Sequence, residues 1–311
     1  MSEKNQCSRC DGKVVYFRAY SGEKMCSDCF MLSLVNKTRR TISKYNMLNY
    51  GDKVAVAVSG GKDSLTLLHV LHNLSKKYGS KLIAISVDEG ISGYRDEAIR
   101  NVVSVANSLH IPYKILSFND VYSVDLDKAI SKRLDKGLSS CTICGILRKR
   151  TIDILAKTVN ADVVATAHNL DDVLQTFLIN LLSGDSRRAI TSLPAQEITK
   201  GFSARRIRPF MEIPEAEIVF YAFLNNIPFQ SQDCPYMNES IRSEIRLILN
   251  DLEKKHPGIK YNLLKSSVDV SSLRIKQNKS YFNCSNCGFP SSNAICSVCE
   301  IVNTLKLRYP K

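Results

Sequence analysis

Eleven cysteines carry most of the chemistry that this sequence advertises, in three groups: Cys7, Cys10, Cys26 and Cys29; Cys141, Cys144 and Cys234; and Cys284, Cys287, Cys296 and Cys299. The outer groups read C-x2-C-x15-C-x2-C and C-x2-C-x8-C-x2-C. Each C-x-x-C turn aims two sulfurs at one ion, so each group predicts a tetrahedral four-thiolate zinc site. The middle three are one thiolate short of such a site. Cys141 and Cys144 precede the helical stretch GILRKRTIDILAKTV, and Cys234 lies beside Asp233 and Pro235. Three chemistries stay open for them: a thiol–disulfide pair favoured by a helix N-terminus, buried structural cysteines, or an iron–sulfur site with three thiolates and one iron open to an external ligand. The helix end and Arg148, Lys149 and Arg150 favour either thiolates or an anionic cluster.

A second group of residues is built for anions. Ser59-Gly60-Gly61-Lys62-Asp63-Ser64 follows a valine-rich run and opens an apolar-periodic one. Glycines let backbone N–H groups converge on an anion, and a helix start adds unpaired N–H groups and partial positive charge. Lys62 contributes a cation, and Ser59 and Ser64 contribute hydroxyls. Phosphate binding is the chemistry implied. Neither the Walker A spacing nor G-x-G-x-x-G is present.

The elements that must position these groups follow from periodicity. Residues 54–58 form a buried strand, and Leu65, Leu68, Leu71 and Leu74 share one helical face after the glycine turn. Residues 81–87, 113–118 and 161–167 predict further strands, with helices over 95–109 and 173–182. Alternating buried strands and helices imply an open parallel α/β sheet covered on both faces, with ligands outside the carboxyl ends of the strands. The loops after Val58, Val87 and Ala167 are therefore expected to line one site. Residues 31–48 predict a helix with Leu32, Val35, Ile42 and Leu48 near one face and Lys37, Arg39, Arg40 and Lys44 on others. Residues 203–211 carry Arg205, Arg206 and Arg208, and helices are expected over 214–224 and 238–255. The first cysteine group has room for a small hairpin including Val14, Val15, Tyr16 and Phe17. So short a module builds no core of its own and must fold around its metal.

With 311 residues, 44% hydrophobic and 23% charged, the chain is expected to be a soluble globular protein of about two domains. It starts without an apolar signal core and has no apolar run of about 18 residues, so a cytoplasmic location and no membrane contact are expected. Thiols stay reduced there, which favours metal binding over disulfides. A net charge of +13 points to a polyanionic partner.

SGGKDS at 59–64, CTICGILRKR at 141–150, TAHNLDDVLQT at 166–176, DCPY at 233–236 and the flanking cysteine quartets together resemble the PP-loop tRNA 2-thiolation enzymes. The likeness is to the archaeal and eukaryotic wobble-uridine thiolases and the related thermophile enzyme acting on uridine 54. It implies a parallel-sheet PP-loop domain of the adenine nucleotide α-hydrolase-like fold, flanked by two zinc modules. ATP with Mg²⁺ would adenylate the C2 oxygen of a tRNA uridine, releasing pyrophosphate, and sulfur would displace AMP. Cys141, Cys144 and Cys234 would hold a [4Fe–4S] cluster; a persulfide relay is the alternative. The implied ATP contacts are Ala57, Val58, Ser59, Gly60, Gly61, Lys62, Asp63, Ser64, Asp88, Arg148, Ala167 and Asp172. Lys62, Asp63, Arg148 and Asp172 would join the three cysteines in catalysis. Relatives usually carry glycine at the position of Ala167, whose methyl group would narrow the pocket. Asp171 is assigned to the helix N-cap.

The expected division is 1–33 for the first zinc module, 34–50 for a basic linker helix, 51–275 for the catalytic domain and 276–311 for the second zinc module. An asparagine- and cysteine-rich composition favours wobble uridine 34 over uridine 54. The implied partners are tRNA and a sulfur donor, either a ubiquitin-like thiocarboxylate, a persulfide or sulfide, and a homodimer is the expected assembly. The competing reading is a non-catalytic zinc-ribbon RNA-binding scaffold.

Overall fold

The structure is a computed structural model describing residues 6–132, 138–185, 188–189, 204–230, 232–236, 241–272 and 282–305. Its centre is five parallel strands in the order β5-β4-β3-β6-β7. They are β3 (Lys53–Ala57), β4 (Lys81–Asp88), β5 (Tyr113–Ser117), β6 (Val163–Ala165) and β7 (Arg205–Ile207). The chain leaves β3 toward β4 and β5, then returns to lay β6 on the other side, with Val56 opposite both Ala84 and Ala165. The strand order reverses between β3 and β6, which makes their carboxyl ends the place for a ligand. Strand β7 is an element that the periodicity did not predict: three residues, two of them arginine, carry no hydrophobic alternation.

Side chains of β3 alternate between two cores, as a period of two requires. Val54 and Val56 pack with α2 (Lys62–Tyr78), α3 (Arg95–Ser108), α7 (Leu170–Leu182) and α8 (Glu215–Leu224). Ala55 faces the other core, with Ile85, Val87, Val164 and the buried side of α6 (Ser140–Thr158). The short helices α4 (Phe118–Tyr122) and α5 (Leu126–Ser131) close that side. Leu65, Leu68, Leu71 and Leu74 are all buried. Helix α9 (Arg242–Lys255) covers the later part of the expected 238–255 helix, whose residues 238–240 lie outside the described ones, and α10 (Ile259–Ser272) follows.

The two cysteine modules pack on opposite faces. In the first, β1 (Tyr16–Arg18) and β2 (Glu23–Met25) form an antiparallel hairpin, and Met25 and Phe30 enter the first core. Helix α1 runs over Ser27–Lys44, four residues ahead of its expected start, because Cys26 is its N-cap and its sulfur accepts the Cys29 N–H at 3.5 Å. One helix thus crosses residue 33, where a module was expected to give way to a linker. Its buried side is Phe30, Leu34, Thr38 and Ile42, whereas Leu32, expected inside, is 60% exposed. In the second module, β8 (Phe282–Asn283), β9 (Pro290–Ser291) and α11 (Ser297–Thr304) set Val298, Cys299 and Val302 against the α6 core.

The first module is tied to α8 by a buried ion pair. Arg18 donates through Nε and Nη2 to the two Glu217 carboxylate oxygens at 3.0 and 2.8 Å, and Tyr20 donates to Glu217 at 2.6 Å. The side chains are 5% and 0% exposed.

Candidate active site

A cleft of about 510 Å³ opens at the carboxyl ends of the strands. Ala57, Val58, Ser59, Gly61, Asp63 and Ser64 line it from the end of β3 and the start of α2, Ile85 and Val87 from β4, Glu89 from just beyond it, and Thr166, Ala167, His168 and Asp172 from the β6–α7 connection. The three loops expected to converge therefore do so. Helix α6 adds Gly145, Arg148 and Lys149, and the unforeseen β7 adds Arg206, with Arg208 just after it. Gly60, Lys62 and Asp88 stand outside this lining.

The turn at 59–64 is held by its own hydroxyls. Ser64 Oγ accepts from the Ser59 N–H at 3.0 Å and donates to the Gly61 carbonyl at 3.0 Å. Gly61 is the N-cap of α2 and supplies no side chain to its first N–H groups. Gly60 has φ +87°, and a Cβ there would stand 2.4 Å from the Ala98 carbonyl oxygen of α3. Only glycine fits that approach.

Lys62 ion-pairs with Asp63 at 3.1 Å and with Glu215 at 2.8 Å, and Arg246 in turn holds Glu215. Burial works against the Lys62 charge, and the Asp63 and Glu215 carboxylates outweigh it, so its pKa is raised. Burial pushes the Asp63 carboxyl up to about 6 against the pull of Lys62. Asp63 Oδ1 is buried with no hydrogen-bond partner among the described residues. Asp172 lies near enough to add to that rise.

The expected N-cap at Asp171 is corrected: Asn169 caps α7. Asn169 Oδ1 accepts the Asp172 N–H at 2.9 Å, and Asp172 returns the bond by accepting the Asn169 N–H at 3.2 Å. Asp171 is buried instead, ion-paired with Lys260 and accepting the Glu215 N–H at 2.8 Å. Asx capping needs a side chain half outside the helix, and Asp171 is already in its first turn.

The remaining charges in the cleft are mostly positive and crowd one another. Burial lowers Lys149 and Arg208, and Arg206 lowers both further. Burial, followed by Arg208, Arg242 and Arg206, brings His168 down to about 4. Cations held in mutual repulsion around one cleft are arranged for an anion. Arg205 is not among them; it pairs with Asp52 at 2.9 Å.

Sequence reasoning missed Glu89. Asp88 was expected at the nucleotide, but its carboxylate accepts the Gly90 N–H at 2.9 Å. Its neighbour, 3% exposed, ion-pairs with Arg95 Nε at 2.7 Å and Arg148 Nε at 2.6 Å. Consecutive residues at a strand end point to opposite sides, a signal available in the sequence. Glu215 was also missed, because nothing local marks it.

Cys144 is buried beside this cleft and accepts from Arg148 Nη2 at 3.0 Å. Burial pushes its thiol up to about 11, with Arg148 pulling the other way. Cys234 is close enough to act on it electrostatically, and exposed Cys141 donates to the carbonyl of Tyr236, two residues from Cys234. Among the described residues, only the two outer quartets bring all their sulfurs within 4.8 Å of one another. Nearest sulfurs are 3.5 and 3.6 Å apart in the first and 3.7 Å in the second. A tetrahedron of Zn–S bonds of about 2.3 Å has edges of about 3.8 Å, so both quartets fit zinc. Arg150, on the far side of α6 from the cleft, donates to Cys287 and Cys296 at 3.5 and 3.4 Å and lies 3.5 Å over the Phe289 ring.

Comparison with known proteins agrees with these features. A sequence family described as a PP-loop domain matches residues 34–252, and one described as the N-terminal LIM domain of the 2-thiouridine synthetase TtuA matches residues 6–31. Cytoplasmic tRNA 2-thiolation protein 1 of Danio rerio is 35% identical over 98% of this chain and 90% of its own length. Its Drosophila melanogaster counterpart is 33% identical over 98% and 89%. The solved structure of the U34-tRNA thiolase NcsA from Methanococcus maripaludis, with its [4Fe-4S] cluster, superposes with a TM-score of 0.83 at 30% identity, covering 100% of both chains. The chain belongs to the PP-loop family of tRNA 2-thiolation proteins.

Proposed function

We propose that the protein is an ATP-dependent tRNA-uridine 2-sulfurtransferase acting on wobble uridine 34 in the cytoplasm. The observation that carries this reading is one arginine shared by two sites: Arg148 lines the cationic cleft and donates to Cys144. An anion-binding site for activation thus adjoins a cysteine group suited to sulfur delivery.

A carbonyl oxygen is a poor leaving group, so activation must come first. The uridine O2 attacks the α-phosphorus of ATP, the bond from that phosphorus to the β-bridging oxygen breaks, and pyrophosphate leaves as the N3 proton is lost. Sulfur then bonds to C2 and AMP departs. The turn at 59–64 receives phosphate oxygens through backbone N–H groups, with Lys62 held nearby by Glu215. The unpartnered Asp63 Oδ1 is a hard oxygen donor fit for Mg²⁺, with Asp172 as a second carboxylate. The ring of Arg148, Lys149, Arg206 and Arg208 accommodates the nucleotide's phosphates and those of the incoming tRNA.

Cys141, Cys144 and Cys234 fit a [4Fe–4S] cluster better than a single ion. They converge on one region, yet they are not gathered as closely as either zinc quartet, and a four-iron cube needs its thiolates spread apart. Bound there, a cluster would supply an iron open to an external ligand. The two zinc ions are structural. The sulfur comes from a thiocarboxylate or sulfide, or from a persulfide whose S–S bond a second thiol reduces, and the enzyme works as a homodimer.

The test is anaerobic incubation of reconstituted protein with Mg²⁺, ATP, sulfide and unmodified tRNA, followed by measurement of AMP and mapping of 2-thiouridine. AMP release and sulfur at position 34 are expected. Sulfur at position 54 would overturn the site assignment, and no AMP would favour the non-catalytic RNA-binding scaffold.

A further inference from the structure

We propose that Glu89 is a positioning residue that holds the Arg148 guanidinium between the nucleotide cleft and the Cys144 sulfur. This rests on the sulfurtransferase reading of the cleft. The contacts form a chain of hydrogen bonds and close ion pairs. Arg95 donates through Nη1 to the carbonyl of Ser59, the first residue of the phosphate turn, at 2.8 Å, and through Nη2 to the carbonyl of Val87 at 2.5 Å. Its Nε faces one oxygen of Glu89 at 2.7 Å, an ion pair out of hydrogen-bond alignment; the other oxygen faces Arg148 Nε at 2.6 Å; and Arg148 Nη2 reaches Cys144 at 3.0 Å.

The distribution of solvent separates this from an ordinary buried ion triad. The Glu89 and Arg95 side chains are 4% and 6% exposed, whereas Arg148 is 44% exposed. Two members are buried and the third is presented to whatever enters the cleft. The guanidinium is a planar fork: with Nε held against Glu89, the directions of its two Nη groups follow. One of them meets the sulfur of Cys144. A neutral side chain at position 89 would free that plane to rotate.

The experiment is a double-mutant cycle on the zinc-loaded, anaerobically reconstituted full chain, comparing wild type, Glu89→Gln, Arg148→Ala and the double variant. Readouts are the single-turnover rate of tRNA thiolation, equilibrium affinity for ATP, zinc content and the visible absorbance of the cluster. Glu89→Gln should slow thiolation about 10–100-fold, as loss of an outer-shell partner does. Its ATP affinity should fall no further than that of Arg148→Ala, with zinc and cluster retained. Because Glu89 acts through Arg148, the double variant should be no slower than Arg148→Ala alone. A Glu89→Gln enzyme as fast as wild type, or two losses that multiply, would overturn the proposal. If Glu89→Gln fails to fold, Glu89→Asp, which keeps the charge and shortens the reach, takes its place in the same cycle with the same criteria. A wild-type protein that releases no AMP would refute the sulfurtransferase reading itself, an outcome distinct from an active enzyme indifferent to residue 89.

Discussion

Replacing Gly60 with alanine tests whether the phosphate turn works through its close approach to α3. The added Cβ would lie 2.4 Å from the Ala98 carbonyl oxygen and 2.6 Å from its Cα, both backbone atoms that no rotamer change can move. Ordinary contact begins near 3.4 Å, so the turn or the helix must shift by about 1 Å. The positive φ adds roughly 1–2 kcal/mol of strain for any L side chain. Against a typical stability of about 5–15 kcal/mol the protein still folds, with a lowered Tm. A 1 Å misplacement at a reacting centre costs about 100-fold in rate. The variant should therefore release AMP about 100-fold more slowly in an anaerobic single-turnover assay, with tRNA affinity nearly unchanged. Gly61→Ala is the internal control: its Cβ would meet only Ser59 Oγ, at 3.5 Å, and its stability should stay within about 0.5 kcal/mol of wild type. Wild-type turnover and Tm in Gly60→Ala would refute the reasoning.

Three other perturbations probe separate parts of the molecule. Arg18→Met leaves the fully buried Glu217 carboxylate without its guanidinium and should cost about 3–5 kcal/mol by chemical denaturation, whereas Arg18→Met with Glu217→Leu should recover most of the loss; equal stabilities for the single variant and wild type would remove the pair as the anchor of the first zinc module. Cys234→Ala should abolish the cluster absorbance of reconstituted protein while zinc content stays intact, and a full cluster in that variant would exclude Cys234 as a ligand. His168, lowered to about 4, should stay neutral in labelled-histidine NMR as pH falls through the ordinary range near 6.5. The unfolded chain takes up that proton first, so the His168 contribution to stability is present above the ordinary value and lost as pH falls toward 4; a normal titration would contradict the crowding by Arg208, Arg242 and Arg206.

The cysteine quartets, the turn at 59–64 and the strands on either side of it were legible in the sequence because each is a local pattern. A C-x-x-C turn aims two sulfurs by its own geometry, and burial of one helical face leaves leucines at fixed spacing. Even Gly60, whose contact lies on another helix, stood out as a glycine at a strand–helix turn. What needed the tertiary structure was every partnership formed by charge across the sheet. Glu89 meets Arg148 through an ion pair that no spacing encodes, and Glu215 reaches Lys62 from another helix. Asp171, adjacent in sequence to a cleft residue, is consumed by Lys260. Strand β7 forms because β6 offers it an edge, with too few apolar residues of its own to announce it. Hydrophobic period and ligand spacing are written residue by residue along the chain. Which carboxylate faces which guanidinium is decided only when the strands come into register and desolvation forces each buried charge to find its partner.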